Sequence, residues 1–142
     1  MKQVNHKGFT LIELLVVIAI IGVLSTLAAV ALGNARVKSR DAKRLANVSH
    51  IMSALELYYN DAGSYPAAIT VGEALSYGDT TYMNSVPTNP GPNNDGPCPA
   101  NNNYAYESTD EGASYVVTFC IGGSVGDLPV GTNTATPSGL RN

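Results

Sequence analysis

The sequence predicts an α+β protein in which one long N-terminal helix, half membrane-spanning and half amphipathic, packs on a small antiparallel β-sheet. Three observations carry this expectation. An apolar run from Phe9 to Leu32 is interrupted only by Thr10, Glu13, Ser25 and Thr26, and it exceeds the ~20 residues a helix needs to span a bilayer. Beyond it, Leu45, Val48, Met52, Leu55 and Tyr59 recur at alternating three- and four-residue spacing, an apolar stripe on a continuing helix. Further on, "YAYES" and "SYVVTFCI" alternate in polarity on either side of "TDEGA", the pattern of an antiparallel hairpin. At 142 residues the chain has room for one domain, and the membrane segment takes its share from any globular core.

The first element, "KGFTLIELLVVIAIIGVL", follows a leader made basic by Lys2 and Lys7. A secretory signal starts this way, but its apolar core is shorter, and "LAAVALGNAR" supplies no small-x-small cleavage site before a polar start. A simple signal anchor accounts for the length and leaves Glu13 unexplained, because acids inside membrane helices are rare and are normally paired. Cleavage between Gly8 and Phe9 supplies a partner. It creates an α-amine four residues before Glu13, and a neighbouring copy displaced along its axis brings its own amine onto this carboxylate, neutralising both in low dielectric. Glu13 then marks a register for polymerisation.

These residues resemble the cleavage and methylation segment of type IV prepilins and of the pseudopilins of type II secretion: a short basic leader, Gly-Phe-Thr-Leu-Ile-Glu, and a membrane-length apolar run. The resemblance implies a pilin-like fold and a leader, 1–8, removed after Gly8 by a prepilin peptidase that is also an N-methyltransferase. It makes Phe9 the N-methylated mature terminus and Glu13 the acid required for subunit docking. It also implies an inner-membrane precursor with its N-terminus inside, a membrane assembly platform with its ATPase, and a homopolymer that ends as an extracellular filament. Many relatives carry a proline about eight residues after the glycine that is Gly22 here, where this chain has Val30. A proline-dependent kink lacks its residue, while Gly22 and Gly33 are weak helix points.

The remaining elements follow in order. Residues 9–33 form the membrane or filament-core segment and 34–62 the amphipathic half, its stripe widened by Ile51 and Tyr58. "NDAGSYP" ends the helix, with Gly63 suited to a left-handed terminus and Pro66 unable to continue. A helix from Phe9 to Asn60 is about 78 Å long at about 1.5 Å per residue. Residues 63–103 are a Pro/Gly/Asn-rich connection containing "TNPGPNNDGPCPANNN". Within it "VGEALSY" suggests one short helix, and the stretch from Asn84 to Asn103 suits a hydrated exterior. Residues 104–142 hold the sheet, with a third strand within "VGTNTATP", and a C-terminal tail.

Charge divides the chain. Arg36, Lys38, Arg40, Lys43 and Arg44 gather after the apolar run with only Asp41 opposing them, whereas Glu56 to Leu140 contains acids and no Lys or Arg. Such a basic neck serves as a solvated face, as a lipid-headgroup contact, or as the complement of acidic heads in other subunits. The acidic head offers no basic patch for nucleic acid. Cys98 and Cys120 fall in the exported part, where oxidation is allowed, and a bridge between them stabilises a small core by about 3 kcal/mol on loop-closure grounds. Nothing resembles a nucleophile elbow, zinc-ligand spacing or a phosphate loop. His6 leaves with the leader and His50 faces away from the stripe. Similarity to calcium-bearing major pseudopilins raises Asp95, Asp110, Glu111 and Asp127 as oxygen donors, with Asp95 and Asp127 foremost, but without EF-hand spacing ordinary acidic turns are preferred.

The expected function is therefore a non-enzymatic structural subunit of a type IV pilus, serving adhesion, motility or DNA uptake. One alternative is a major pseudopilin of a type II secretion or competence system. Another, of a different class, is a monomeric membrane-anchored binding domain.

Overall fold

A computed structural model describes residues 8–92 and 95–142. The basic leader with Lys2, His6 and Lys7 lies outside the described residues, as do Asn93 and Asn94 of the Asn-rich stretch. Helix α1 runs from Leu11 to Ala62 and passes Gly22, Val30 and Gly33 without interruption. The strands are β1 (Leu75–Tyr77), β2 (Thr80–Met83), β3 (Ala105–Thr109), β4 (Ser114–Ile121), β5 (Gly131–Thr136) and β6 (Gly139–Arg141), and a tight turn of positive-φ residues, Asp110–Gly112, joins β3 to β4.

The chain divides into two compact units, one ending at Arg36 and the other running from Val37 to Asn142. In the first, every described side chain is exposed, Phe9, Leu11, Ile12, Leu14 and Leu15 included. This segment meets the length and apolarity required to cross a membrane. Its two hydroxyl residues bond back along the helix, Ser25 Oγ to the Ile21 carbonyl at 2.7 Å and Thr26 Oγ1 to the Val23 carbonyl at 2.7 Å. Neither therefore presents an unsatisfied hydroxyl to an apolar surrounding.

The second unit holds the core. Strands β3, β4, β5 and β6 form one antiparallel sheet in that order, with Ala105 opposite Thr118 and Val117 opposite Ala135. In β4 the alternation sends Tyr115, Val117, Phe119 and Ile121 inward. They pack with Val48, Ile51, Ala54 and Leu55 of α1, with Tyr65, Leu75 and Val86 from the connecting segment, and with Tyr104 just before β3. The hairpin and the strand within "VGTNTATP" stand where the sequence places them, and β6 extends the sheet by three residues beyond that expectation.

Three features depart from the sequence reading. The buried face of α1 comprises Asp41, Arg44, Asn47, Val48, Ile51, Ala54 and Leu55. Leu45 and Met52 are only half-buried and Tyr59 is exposed, because the inward face begins with polar residues that a hydrophobic pattern cannot mark. "VGEALSY" is not a helix. Its last residues form β1, which turns through Gly78, at φ 58°, and Asp79 so that Tyr77 pairs with Thr80 of β2; this two-residue Gly-Asp loop outweighs the helix preference of Glu73 and Ala74. The connection 63–103 is also more than loop, since this hairpin has its own two-stranded sheet and Val86 is core.

The end of α1 follows expectation. Gly63 takes φ 74°, and its N–H bonds the Tyr59 carbonyl at 2.8 Å, the left-handed stop that glycine adopts without strain.

Candidate functional site

Two groups of residues carry chemistry, one in each unit. The first is the start of α1. Thr10 precedes the first helical residue, and its Oγ1 accepts the Glu13 N–H at 3.3 Å. Glu13 Oε2 in return accepts the Thr10 N–H at 2.8 Å and the Thr10 hydroxyl at 2.7 Å. This is a reciprocal capping box, with Thr at the cap and Glu three residues later. The pattern Thr-x-x-Glu stands in the sequence and signals it, yet the sequence reading assigned Glu13 to docking alone. Among the described residues Glu13 Oε1 has no hydrogen-bond partner. One oxygen of the carboxylate therefore holds the helix start while the other remains able to accept a cation. Gly8 and Phe9 lie immediately before the cap, both exposed.

The second group lies at the beginning of the packed half of α1. Arg44 is fully buried and its guanidinium donates on every side: Nη1 to Asp41 Oδ1 at 2.6 Å, Nε to Asn89 Oδ1 at 2.8 Å, and Nη2 to the carbonyls of Pro90 and Pro92 at 3.2 and 3.1 Å. Nη2 also stands 2.8 Å from Asp95 Oδ2. Arg40 completes the group with a two-pronged contact on Asp95, its Nε 2.6 Å from Oδ2 and its Nη2 on Oδ1. Asp41, also fully buried, receives the backbone N–H of Gly122 at 3.0 Å and of Gly123 at 2.8 Å. Two cations and two anions thus close into a neutral cluster whose polar atoms are matched by hydrogen bonds, the condition under which buried charge is tolerated. The Arg40 hydrogen bonds, reinforced by Arg44, hold the Asp95 carboxyl below its ordinary pKa against the opposing effect of burial.

Asparagines extend the cluster. Asn89 Nδ2 donates to the Asn102 carbonyl, Asn102 Nδ2 donates to the Cys120 carbonyl at 3.2 Å, and Asn47 Nδ2 donates to the Thr88 carbonyl and the Tyr104 hydroxyl at 3.2 and 3.0 Å. Cys98 and Cys120 are joined by a disulfide three residues beyond Asp95. Two glycines make the approach possible. A Cβ on Gly122 would come within 2.5 Å of the Asp95 Cβ, and one on Gly96, which has φ 54°, within 2.7 Å of the Gly122 carbonyl oxygen.

This arrangement corrects several sequence expectations. Arg40 and Arg44 pair within their own chain, leaving Arg36, Lys38 and Lys43 as the exposed cations of the neck. Asn89 and Asn102 are buried structural groups, so the stretch Asn84–Asn103 is not simply a hydrated exterior. Asp95 has both carboxylate oxygens on guanidinium groups. Asp127 is exposed in the turn between Val125 and Leu128, and among the described residues no three His, Cys, Asp or Glu side chains gather in a metal-binding group. Asp110 and Glu111 occupy left-handed backbone at φ 52° and 55°, and His50 is exposed. The sequence reading missed the charge cluster because its closure depends on Gly122 and Gly123, far along the chain from Asp41.

Comparison with known proteins adds a match of residues 4–29 to the prokaryotic N-terminal methylation motif. Over 86 residues the chain is 37% identical to fimbrial protein EcpC of Eikenella corrodens, which covers 61% of this chain and 56% of that protein. It is 30% identical over 101 residues to type II secretion system core protein G of Aeromonas hydrophila, and 32% identical over the same length to that of Klebsiella michiganensis. Each of these two matches covers 63% of this chain and 71% of the relative. No solved structure matches the chain.

Proposed function

The chain belongs to the family of type IV pilins and type II secretion pseudopilins, and from that premise we propose that it is cut between Gly8 and Phe9, methylated on Phe9 and polymerised as a type IV pilus subunit. Proteins of this family are structural subunits rather than enzymes, and the prepilin-type start and apolar helix fit anchoring in a membrane before assembly. The observation that carries the proposal is the state of the first unit. The described side chains of this apolar segment are all exposed, and among the described residues Glu13 Oε1, close to the cleavage point, has no hydrogen-bond partner. Such a segment leaves lipid without exposing its side chains to water only if other copies replace the lipid. In that surrounding the Phe9 α-amine of one copy neutralises Glu13 of another. The processing partner is a prepilin peptidase and N-methyltransferase. The assembly partners are an inner-membrane platform and its ATPase, and the product is an extracellular filament.

A pseudopilus is the second reading, favoured by the larger share of the secretion proteins that the matches cover. The 37% identity to the fimbrial protein over 86 residues supports the pilus. Deletion of the protein distinguishes them: loss of long surface fibres with secretion intact supports a pilus, whereas intact fibres with secreted substrates trapped in the cell support a pseudopilus. Mass spectrometry of assembled protein is expected to find N-methylated Phe9 as the first residue. Retention of Met1–Gly8 would remove the processing step from the proposal.

A further inference from the structure

The second unit contains a cleft of about 530 Å³ lined by Tyr58, Tyr65, Ser64, Ser108 and Glu111. We propose that it receives an exposed lysine, Lys38 or Lys43, from the helix of another copy in the filament, which names a lateral contact for the polymer proposed above and rests on that reading.

The cleft excludes one class of ligand and suits another. No Lys or Arg occurs between Glu56 and Leu140, and none lines the cleft to neutralise an anion. Its lining includes the Glu111 carboxylate and the hydroxyl residues Ser64 and Ser108, the charge and the acceptors that an ammonium takes. Tyr65 is fixed in place: its hydroxyl donates to Glu56 Oε1 at 2.9 Å, and its ring lies 4.6 Å from that of Tyr59 and 4.7 Å from that of Tyr115. Glu111 sits in left-handed backbone at φ 55° beside Gly112, whose carbonyl accepts the Tyr65 N–H at 2.8 Å.

The occupant is present on the same chain but out of its own reach. Lys38 and Lys43 are exposed and, among the described residues, form no ion pair, while Arg40 and Arg44 between and beside them are consumed internally. Along α1, Lys43 precedes Tyr58 by fifteen residues, or about 22 Å, farther than a lysine side chain extends. A second copy displaced along the helix axis by about this distance brings its basic segment level with the cleft. The complementarity is between copies, as charge patches across an interface require.

Zero-length carbodiimide coupling on purified filaments, mixed from isotopically light and heavy subunits, tests the contact. The expected product is a mixed-isotope isopeptide between Glu111 and Lys38 or Lys43, lost in Glu111→Gln filaments. A second measurement covers the case in which coupling geometry is poor. Lys38→Glu/Lys43→Glu filaments are expected to dissociate at lower salt than wild type and to regain resistance when Glu111→Lys is added. Wild-type filaments that give no such cross-link and show unchanged salt resistance in the lysine variant would overturn the inference while leaving the filament reading intact. Failure of the wild-type chain to polymerise would overturn both. Cross-links from Glu111 only to other proteins would also overturn it.

Discussion

The two halves of α1 share one secondary structure and invert the usual rule of burial. From Leu11 to Arg36 the side chains are largely apolar and all exposed; from Val37 to Ala62 the residues buried completely include Asp41 and Arg44. Hydropathy explains neither half alone, because burial depends on which partners the chain itself provides. The second half meets a sheet and a loop bearing matched donors and acceptors, so charge can go inside. The described side chains of the first half are all exposed, and its apolar surface is a demand on lipid or on other copies.

The strongest way to break this contrast is Glu13→Ala. If the first half works only between molecules, the variant stays membrane-inserted with its head folded while filament yield falls to background, as measured by shearing and sedimentation alongside thermal unfolding in detergent. Normal incorporation into filaments would show that Glu13 serves the cap and not the contact.

Arg44→Ala attacks the other half. It leaves Asp41 buried without its cation, and removing one partner of a buried pair costs about 3–5 kcal/mol. The head is expected to melt at a markedly lower temperature, whereas the first half, which has no part in the cluster, keeps its helical signal. A loss under about 1 kcal/mol would place the cluster among weak surface pairs.

Reduction of Cys98–Cys120 is expected to cost about 3 kcal/mol of head stability, again without dissolving the helix. Thiol titration of exported protein tests the premise, since two free thiols there would remove it.

The smallest expected effect concerns acid. Asp95 has a lowered pKa in the folded chain, chiefly through Arg40 and then Arg44, so its stabilising contribution is complete above the ordinary aspartate value of ~3.9. That contribution disappears as pH falls through the lowered folded value, because the unfolded chain then binds the proton more readily. Melting temperature against pH is expected to fall less steeply on the acid side for Asp95→Asn than for wild type. Equal slopes would assign acid sensitivity to other carboxylates.

Legibility followed locality. The segment Gly8–Phe9–Thr10–Leu11–Ile12–Glu13 reads directly because its meaning lies in neighbouring residues, and the alternation of β4 reads because one face of a strand is committed to a core. The short hairpin β1–β2 was obscured by helix-forming Glu73, Ala74 and Leu75, although Gly78 and Asp79 stood ready as the turn. The cluster of Arg40, Asp41, Arg44 and Asp95 was illegible for a different reason. A charge run beside an apolar segment reads as solvated surface, and only the fold brings Gly122, Gly123 and Asn89 to meet it.

The position of that cluster also determines how the head bears a mechanical load. A pull transmitted down the helix enters the second unit at Val37 and meets Arg40, Asp41 and Arg44 before the apolar rungs at Val48, Ile51 and Leu55. The ionic contacts are anchored to the two glycine amides after β4 and to the Asp95 loop, itself fastened by Cys98 to β4. Tension is therefore shared at the entry point among several short polar bonds, which must yield together before the hydrophobic interface can peel from its end.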